Sequence, residues 1–263
     1  VDLGLQGKSV IVMASSRGLG KATAEQFAKE GARVVISGRN EADLEKAAGE
    51  IRAAAGHEDV TYAVCDMTQE KDIQQLVKTA VEQNGTVDVL VNNAGGPPAG
   101  GFDDVADEDW QKAFELNLLS FTRTIREVLP HMRKQESGRI INVASSSIKQ
   151  PIDNLILSNT FRAGITGLAK SLSQELAPDN ILINTVGPGR IATDRLAELD
   201  EAKAEKTGQT KAEVEAASIA GIPLARYGKP EEFANMIVYL GSEANTYITG
   251  QSLLVDGGMV KAL

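Results

Sequence analysis

A single cysteine in 263 residues cannot close an internal disulfide, and two histidines, at positions 57 and 131, supply too few soft ligands for a zinc centre. A disulfide scaffold and a zinc hydrolase are excluded. Positive charge is scarce too: 27 Lys and Arg face 36 Asp and Glu, a formal net charge of −9. That balance excludes a nucleic-acid backbone or an anionic membrane as the main partner. Long apolar runs are also missing. The first, Val10 to Ala14, is too short for the core of a secretory leader, and no later stretch approaches the roughly 18 apolar residues of a membrane span. A cytoplasmic protein is expected. Proline (8 residues) and aromatics (4%) are sparse, whereas glycine supplies 25 residues, a bias that asks where backbone must come close to something else.

What is present is an alternation. Short apolar runs at Ser9 to Met13, Arg33 to Ser37, Val60 to Cys65, Val87 to Asn92, Arg139 to Val143, Ile181 to Val186 and Ser252 to Val255 are separated by helical patterns. Several runs are apolar on consecutive residues, as strands covered on both faces of a parallel sheet are. Ile73, Leu76, Val77, Ala80 and Val81 follow helical spacing, and Phe161, Ile165, Leu168, Leu172 and Leu176 extend a second stripe. Near the end Pro230 opens a helix with Phe233, Met236, Ile237 and Leu240 inward, and Gly241 is expected to close it. The fold class is therefore α/β: a single Rossmann-type domain over residues 1–263, a doubly wound parallel sheet of about seven strands. Residues 190–222 break the rhythm. Two helix signals stand there, Asp200 before Glu201 to Thr207 and the capping box Thr210-Lys211-Ala212-Glu213. A helical insertion after a strand's carboxyl end is placed to act as a lid, or else simply covers an edge.

The first strand runs into Met13-Ala14-Ser15-Ser16-Arg17-Gly18-Leu19-Gly20. A strand, a glycine-containing turn and a helix start offer free N–H groups and a positive dipole end to a pyrophosphate, which makes Ala14, Ser16, Arg17, Gly18, Leu19 and Gly20 the candidate cofactor-binding turn. Two glycines alone fit a tight structural turn equally well. The decoy Gly7-Lys8-Ser9 precedes its strand, which excludes a nucleoside triphosphatase. About 20 residues on, the second strand ends in Ser37-Gly38-Arg39-Asn40, where NAD binders place a carboxylate for the ribose 2′-hydroxyl. Gly38 leaves that space open, and Arg39 with Arg17 suits a 2′-phosphate, so NADP(H) is favoured over NAD(H).

Further along stand Cys65-Asp66-Met67-Thr68, Asn92-Asn93-Ala94-Gly95, Glu115-Leu116-Asn117, Ile141-Asn142-Val143-Ala144-Ser145, Pro188-Gly189 followed by Thr193, Tyr247-Ile248-Thr249-Gly250 and Val255-Asp256-Gly257-Gly258. With these the chain resembles the short-chain dehydrogenase/reductase family over essentially its whole length, with most likeness to β-ketoacyl carrier-protein reductases and their sugar and polyol relatives. The resemblance implies that Asp66 and Met67 meet the adenine, that Asn93, Ala94 and Gly95 line the adenosine side, and that Gly187, Pro188, Gly189 and Thr193 border the nicotinamide. It implies that Asn117 kinks its helix and holds a water, and that Ser145 hydrogen-bonds the substrate carbonyl. Asn117 as a kink without a proton role is the plainer alternative.

Two departures matter. The family has Thr-Gly where this chain has Met13-Ala14, and its Tyr-x-x-x-Lys aligns with Ser158-Asn159-Thr160-Phe161-Arg162. Residues four apart on a helix share a face, so geometry is kept while chemistry changes. A serine hydroxyl is a poorer acid than a phenol, and arginine cannot relay a proton, although Arg162 can still bind ribose hydroxyls. Asn117, Ser145, Ser158 and Arg162 are the candidate catalytic set, with Ser158 through a water or Lys149 as the replacement donor. Three readings stay open: an NADPH-dependent reductase of a ketone or aldehyde with a modified tetrad, a nucleotide-binding pseudoenzyme, and a non-redox enzyme of the epoxide-forming dehalogenase kind. Gln150, Ile152 and Leu155, with Pro151 between, are expected to wall the pocket for a small carbonyl or alcohol substrate. No metal is expected. Ala163, Gly167 and Ser171 put small residues along one helix face, and the resemblance implies a homotetramer or a dimer.

Overall fold

The computed structural model describes residues 1–262. In chain order its elements are β1 (Ser9–Val12), α1 (Gly18–Lys29), β2 (Arg33–Gly38), α2 (Glu41–Ala55), β3 (Val60–Val64), α3 (Glu70–Asn84), β4 (Val89–Asn92), α4 (Asp107–Phe114), α5 (Ser120–Lys134), β5 (Gly138–Val143), α6 (Ile156–Leu176), β6 (Ile181–Pro188), α7 (Asp194–Thr207), α8 (Lys211–Ala220), α9 (Pro230–Gly241) and β7 (Ser252–Val255). The seven strands form one parallel sheet in the order β3-β2-β1-β4-β5-β6-β7. Strand order reverses between β1 and β4, which opens a crevice beyond their carboxyl ends.

Consecutive apolar residues in the strands have a direct cause. Val10 and Val12 of β1 enter one core with Phe27, Leu44, Ile51, Phe233 and Ile237, from α1, α2 and α9. Ile11 and the adjoining Met13 enter the opposite core with Ile73, Leu76, Phe121, Met132 and Ile165, from α3, α5 and α6. Side chains alternate across the pleat, so a sheet buried on both faces needs an apolar residue at every step. Gly38, at the end of β2, pairs with Val64 of β3 and sets the Arg39 turn beside the crevice.

Two local expectations need correction, the start of the first lid helix and the buried stripe of α6. The first lid helix starts at Asp194, not after Asp200: Thr193 is its cap, its Oγ1 accepting from the Leu196 N–H at 3.3 Å. Asp200 is instead buried within that helix, where it accepts the Tyr227 hydroxyl at 2.7 Å. Gly241 is the last residue of α9, as expected, and the chain leaves it through Ser242 at φ −91°. A Cβ at Gly241 would lie 2.8 Å from Phe27 Cζ, so it is glycine because α9 and α1 pack closely at that point. On α6 the most buried face carries Ser158, Arg162, Ile165, Ala169, Ser173 and Leu176, while Phe161 turns aside to meet Trp110, ring centroids 5.9 Å apart. The Thr210–Glu213 capping box forms as read, Glu213 Oε2 accepting the Thr210 N–H at 2.8 Å.

Between α4 and α5 the helix does not stop. Residues Glu115–Leu119 form a π turn, in which the Ser120 N–H bonds the Glu115 carbonyl five residues back. The extra residue rotates the segment that follows and brings Asn117 inward, fully buried. Among the described residues, no helix is long and apolar enough to cross a membrane.

Candidate active site

The glycine turn is held by close backbone contacts. Ala14 lies at φ 47° and Gly18 at φ 59°, both left-handed. A Cβ at Gly20 would come within 2.4 Å of the Ala14 carbonyl oxygen, so only glycine lets α1 begin this near the strand. Asn93 supports the turn from the end of β4, its Nδ2 donating to the carbonyls of Met13 at 3.3 Å and Ala14 at 3.1 Å. That makes Asn93 a support of the turn. No side chain caps α1, so its first N–H groups and positive dipole end are left to serve an anion over the turn.

Leu19 faces the main cleft, whereas Ser16, Arg17 and Gly18 border an adjoining polar hollow of about 390 Å³. Arg17 and Arg39 are both exposed, and Arg17 lies 3.8 Å from Glu198 of α7. At Gly38 a Cβ would sit 3.6 Å from Ser16 Oγ, so a carboxylate side chain there would press toward the turn. Asp66 is committed locally: its Oδ1 accepts the Thr68 N–H at 3.0 Å and hydroxyl at 2.8 Å. Met67 is 7% exposed and its side chain belongs to the core on the α3 side. Gly95 is exposed on the loop after β4.

A cleft of about 570 Å³ opens beyond the carboxyl ends of β4, β5 and β6. Ser145, Ser158 and Arg162 border it, with Ala94, Pro188, Gly189 and Thr193, and with all three expected pocket residues, Gln150, Ile152 and Leu155. Ser145 follows β5, and β6 passes so near that a Cβ at Gly187 would be 2.4 Å from the Ser145 carbonyl oxygen. The Ser145 Oγ accepts the Ser147 N–H at 3.1 Å, which leaves its own proton to donate. Arg162 is 4% exposed. Its Nη1 donates to the Val143 carbonyl at 3.0 Å and its Nη2 to the Ala94 carbonyl at 3.1 Å, while the buried Nε has no partner. Burial pushes the guanidinium pKa down to about 10, so it remains charged at neutral pH. Asn117 lies behind the cleft lining, and neither polar atom of its side chain has a partner among the described residues. Lys149 is exposed and lies outside the lining.

Several lining residues escaped the sequence reading. The chain after β7 folds back because Asp256 caps it, Oδ1 accepting the Gly258 N–H and Oδ2 the Val260 N–H, both at 2.9 Å. Met259 and Val260 thereby reach the cleft. The Asp256-Gly257-Gly258 run was the available signal, since such residues make turns. Asn159 pins the pocket loop by bonding the Ile152 N–H at 3.1 Å and carbonyl at 2.9 Å. From the lid come Arg195, Leu196 and Leu199, and from its base Arg190, whose Nη1 is 3.6 Å from buried Asp200.

This arrangement has known counterparts. L-Sorbose reductase from Gluconobacter frateurii, solved in complex with NADPH and L-sorbose, superposes with a TM-score of 0.95 at 33% identity, covering 100% of both chains. The 3-oxoacyl acyl-carrier-protein reductase FabG of Thermotoga maritima is 35% identical over 97% of this chain and 99% of its own. The NADPH-dependent reductase BacG of Bacillus subtilis is 32% identical over 97% and 99%. Residues 13–260 match the family described as Enoyl-(Acyl carrier protein) reductase. With a seven-stranded parallel sheet, a glycine turn at its switch point and relatives matched from end to end, the chain belongs to the short-chain dehydrogenase/reductase family.

Proposed function

We propose that the protein is an NADPH-dependent reductase of a small ketone or aldehyde in which Ser158 and Arg162 stand at the positions of the family's catalytic tyrosine and lysine. The observation that carries this reading is that Ser145, Ser158 and Arg162, far from the glycine turn in sequence, border one cleft with Leu19 of that turn. The turn fits a dinucleotide: two glycines give backbone access, the start of α1 is uncapped, and exposed Arg17 and Arg39 flank a β2 end without a carboxylate. When bound, the dihydronicotinamide supplies a hydride. The Ser145 hydroxyl donates to the substrate oxygen. Arg162 fixes the ends of β4 and β5 and brings positive charge to the border of the cleft. The buried, unpartnered amide of Asn117 is suited to hold a water behind Ser158.

A second reading rests on the two carbonyl bonds of Arg162. They join the ends of β4 and β5, a structural task that retains an arginine in a nucleotide-binding protein without turnover. Titration of NADPH and NADH against the purified protein should show NADPH binding about tenfold or more tighter, weakened by Arg39→Ala. The double change Ser158→Tyr with Arg162→Lys should raise carbonyl turnover by roughly 10²–10⁴-fold, the usual contribution of a positioned acid. Tight NADPH binding without turnover in either protein would establish the second reading. The oligomeric state belongs to the proposal too: Ala163, Gly167 and Ser171 are exposed along α6, and among the described residues no atom lies within 4 Å of a Cβ placed at Gly167, which supports close packing against a second copy in a tetramer or dimer.

A further inference from the structure

We propose that Glu198 of the lid helix α7 is a specificity-determining residue for the dinucleotide: it competes with the 2′-phosphate of NADP(H) for Arg17 and so narrows the preference for NADP(H) over NAD(H). This rests on the cofactor reading above, in which Arg17 and Arg39 meet that phosphate. α7 stands between two spaces. Arg195, Leu196 and Leu199 border the cleft, whereas Asp194 borders the polar hollow that Ser16, Arg17 and Gly18 form with α2. Glu198 follows Asp194 by four residues, one turn along the same side of the helix. Its carboxylate reaches two ways: Oε1 is 3.8 Å from Arg17 Nη1, and Oε2 is 3.6 Å from Arg195 Nη1. One acid of the lid thus ties an arginine of the glycine turn to an arginine of the cleft.

The other charges of the hollow make this pairing consequential. Lys21 and Lys46 are both turned to Glu50 of α2, Lys46 at 3.9 Å. Arg17 is therefore the cation of the hollow whose partner belongs to the lid. The three cations are matched there by Asp43, Glu50 and Asp194, so a phosphate finds no surplus positive charge that would make Arg17 dispensable. The end of β2 adjoins the same turn, since a Cβ at Gly38 would sit 3.6 Å from Ser16 Oγ. A 2′-phosphate arriving at that point must take Arg17 from a carboxylate, whereas an uncharged ribose 2′-hydroxyl competes for nothing. The size of the effect follows from exposure. The Arg17 and Glu198 side chains are 73% and 53% exposed, which makes theirs a surface ion pair, a matter of a few-fold in a binding constant. Linkage makes it reciprocal: a bound 2′-phosphate releases α7 from the glycine turn and leaves Glu198 to Arg195, and bound NAD(H) does not.

The test is calorimetric titration of the full chain at low salt with NADPH, NADH and adenosine 2′,5′-bisphosphate, for the natural protein and Glu198→Gln, each with and without Arg17→Ala. Glutamine keeps the length of the side chain and removes its charge. The bisphosphate carries the 2′-phosphate without the nicotinamide end, so it reads the contact apart from any effect of the lid on the cleft. Glu198→Gln should tighten NADPH and the bisphosphate alike by about two- to fivefold and leave NADH unchanged, the gain fading as salt is raised toward about 0.5 M. In the Arg17→Ala background the gain should disappear, as a double-mutant cycle requires of two residues that act through one contact. An unchanged affinity for NADPH, a gain of equal size for NADH, or a gain that persists without Arg17 overturns the proposal and leaves the cofactor reading standing. Weaker NADPH binding by Glu198→Gln overturns it too, because Glu198 would then help to hold the bound dinucleotide. No binding of NADPH or the bisphosphate to any of these proteins overturns the cofactor reading and this proposal with it.

Discussion

Ala14 carries the most local strain of the site at a single position. Its φ of 47° belongs to the left-handed region, which costs a residue with a Cβ about 1 kcal/mol or more. Ala14→Gly should therefore stabilise the fold by about 1 kcal/mol net of the added chain entropy, read as a rise in the denaturant midpoint with an unchanged slope. The departure from the family's glycine was visible in the sequence; that alanine would keep the turn's conformation was not. Gly20 shows the same limit from the other side. Its presence marked the turn, but the reason for it is the approach of the Ala14 oxygen, a contact made by folding. Met67 shows what spacing cannot separate, because a residue at the right distance from Asp66 can belong to the core as easily as to a ligand. Ser158 and Arg162 were legible through the family resemblance, which aligned them with Tyr-x-x-x-Lys, and helical spacing then put the pair on one face. That Arg162 would bond two strand-end carbonyls required the sheet.

Among the elements, strands were read almost to their ends because a two-sided sheet writes itself as unbroken apolar runs. Helix starts were harder. Thr193 has the residue type of a cap, yet the helix behind it opens Asp194-Arg195-Leu196 without a strong apolar period, so Asp200 was the more visible signal. The π turn was signalled only through the family resemblance, which implied a kink at Asn117; composition carried nothing, since one residue's excess leaves the composition of a helix unchanged. At the start of α9 the signals and the structure agree, and they give a pH dependence. Glu232 accepts two hydrogen bonds from Arg226, each at 2.7 Å, and the Lys229 N–H at 2.8 Å. Arg226 first, then the Lys229 N–H, holds its carboxyl well below the usual 4.5, at about 2. A carboxyl whose folded pKa is depressed contributes stability that is complete above its unfolded pKa and is lost as pH falls through the folded one. Glu232→Gln should lower the melting temperature at neutral pH and make the acid limb between pH 4.5 and about 2 shallower, measured by thermal melts across that range. An acid limb identical to that of the natural protein would show that the cap contributes nothing.

For the whole molecule, the parallel arrangement gathers the carboxyl ends of all seven strands along one edge, and this explains why so many spaced residues converged as expected. What lay beyond legibility came from the lid helix, at Arg195, Leu196 and Leu199, and from segments that return to that edge without secondary structure of their own, Gly96 to Ala99 and Met259 to Val260. The exposed small-residue face of α6 gives a prediction at this scale. Gly167→Arg points into open space and replaces a helix-interior glycine, so the folded subunit should gain about 0.5–1 kcal/mol while any assembly through that face dissociates. Light scattering after size-exclusion chromatography reads the second effect and chemical denaturation the first; an unchanged mass would place the oligomer contact elsewhere. The cleft itself draws on Leu19 near one end of the chain and Val260 near the other. On a ribosome, then, the turn that faces the nucleotide is made before the wall of the cleft that Val260 supplies, so no growing chain short of Val260 carries a finished site.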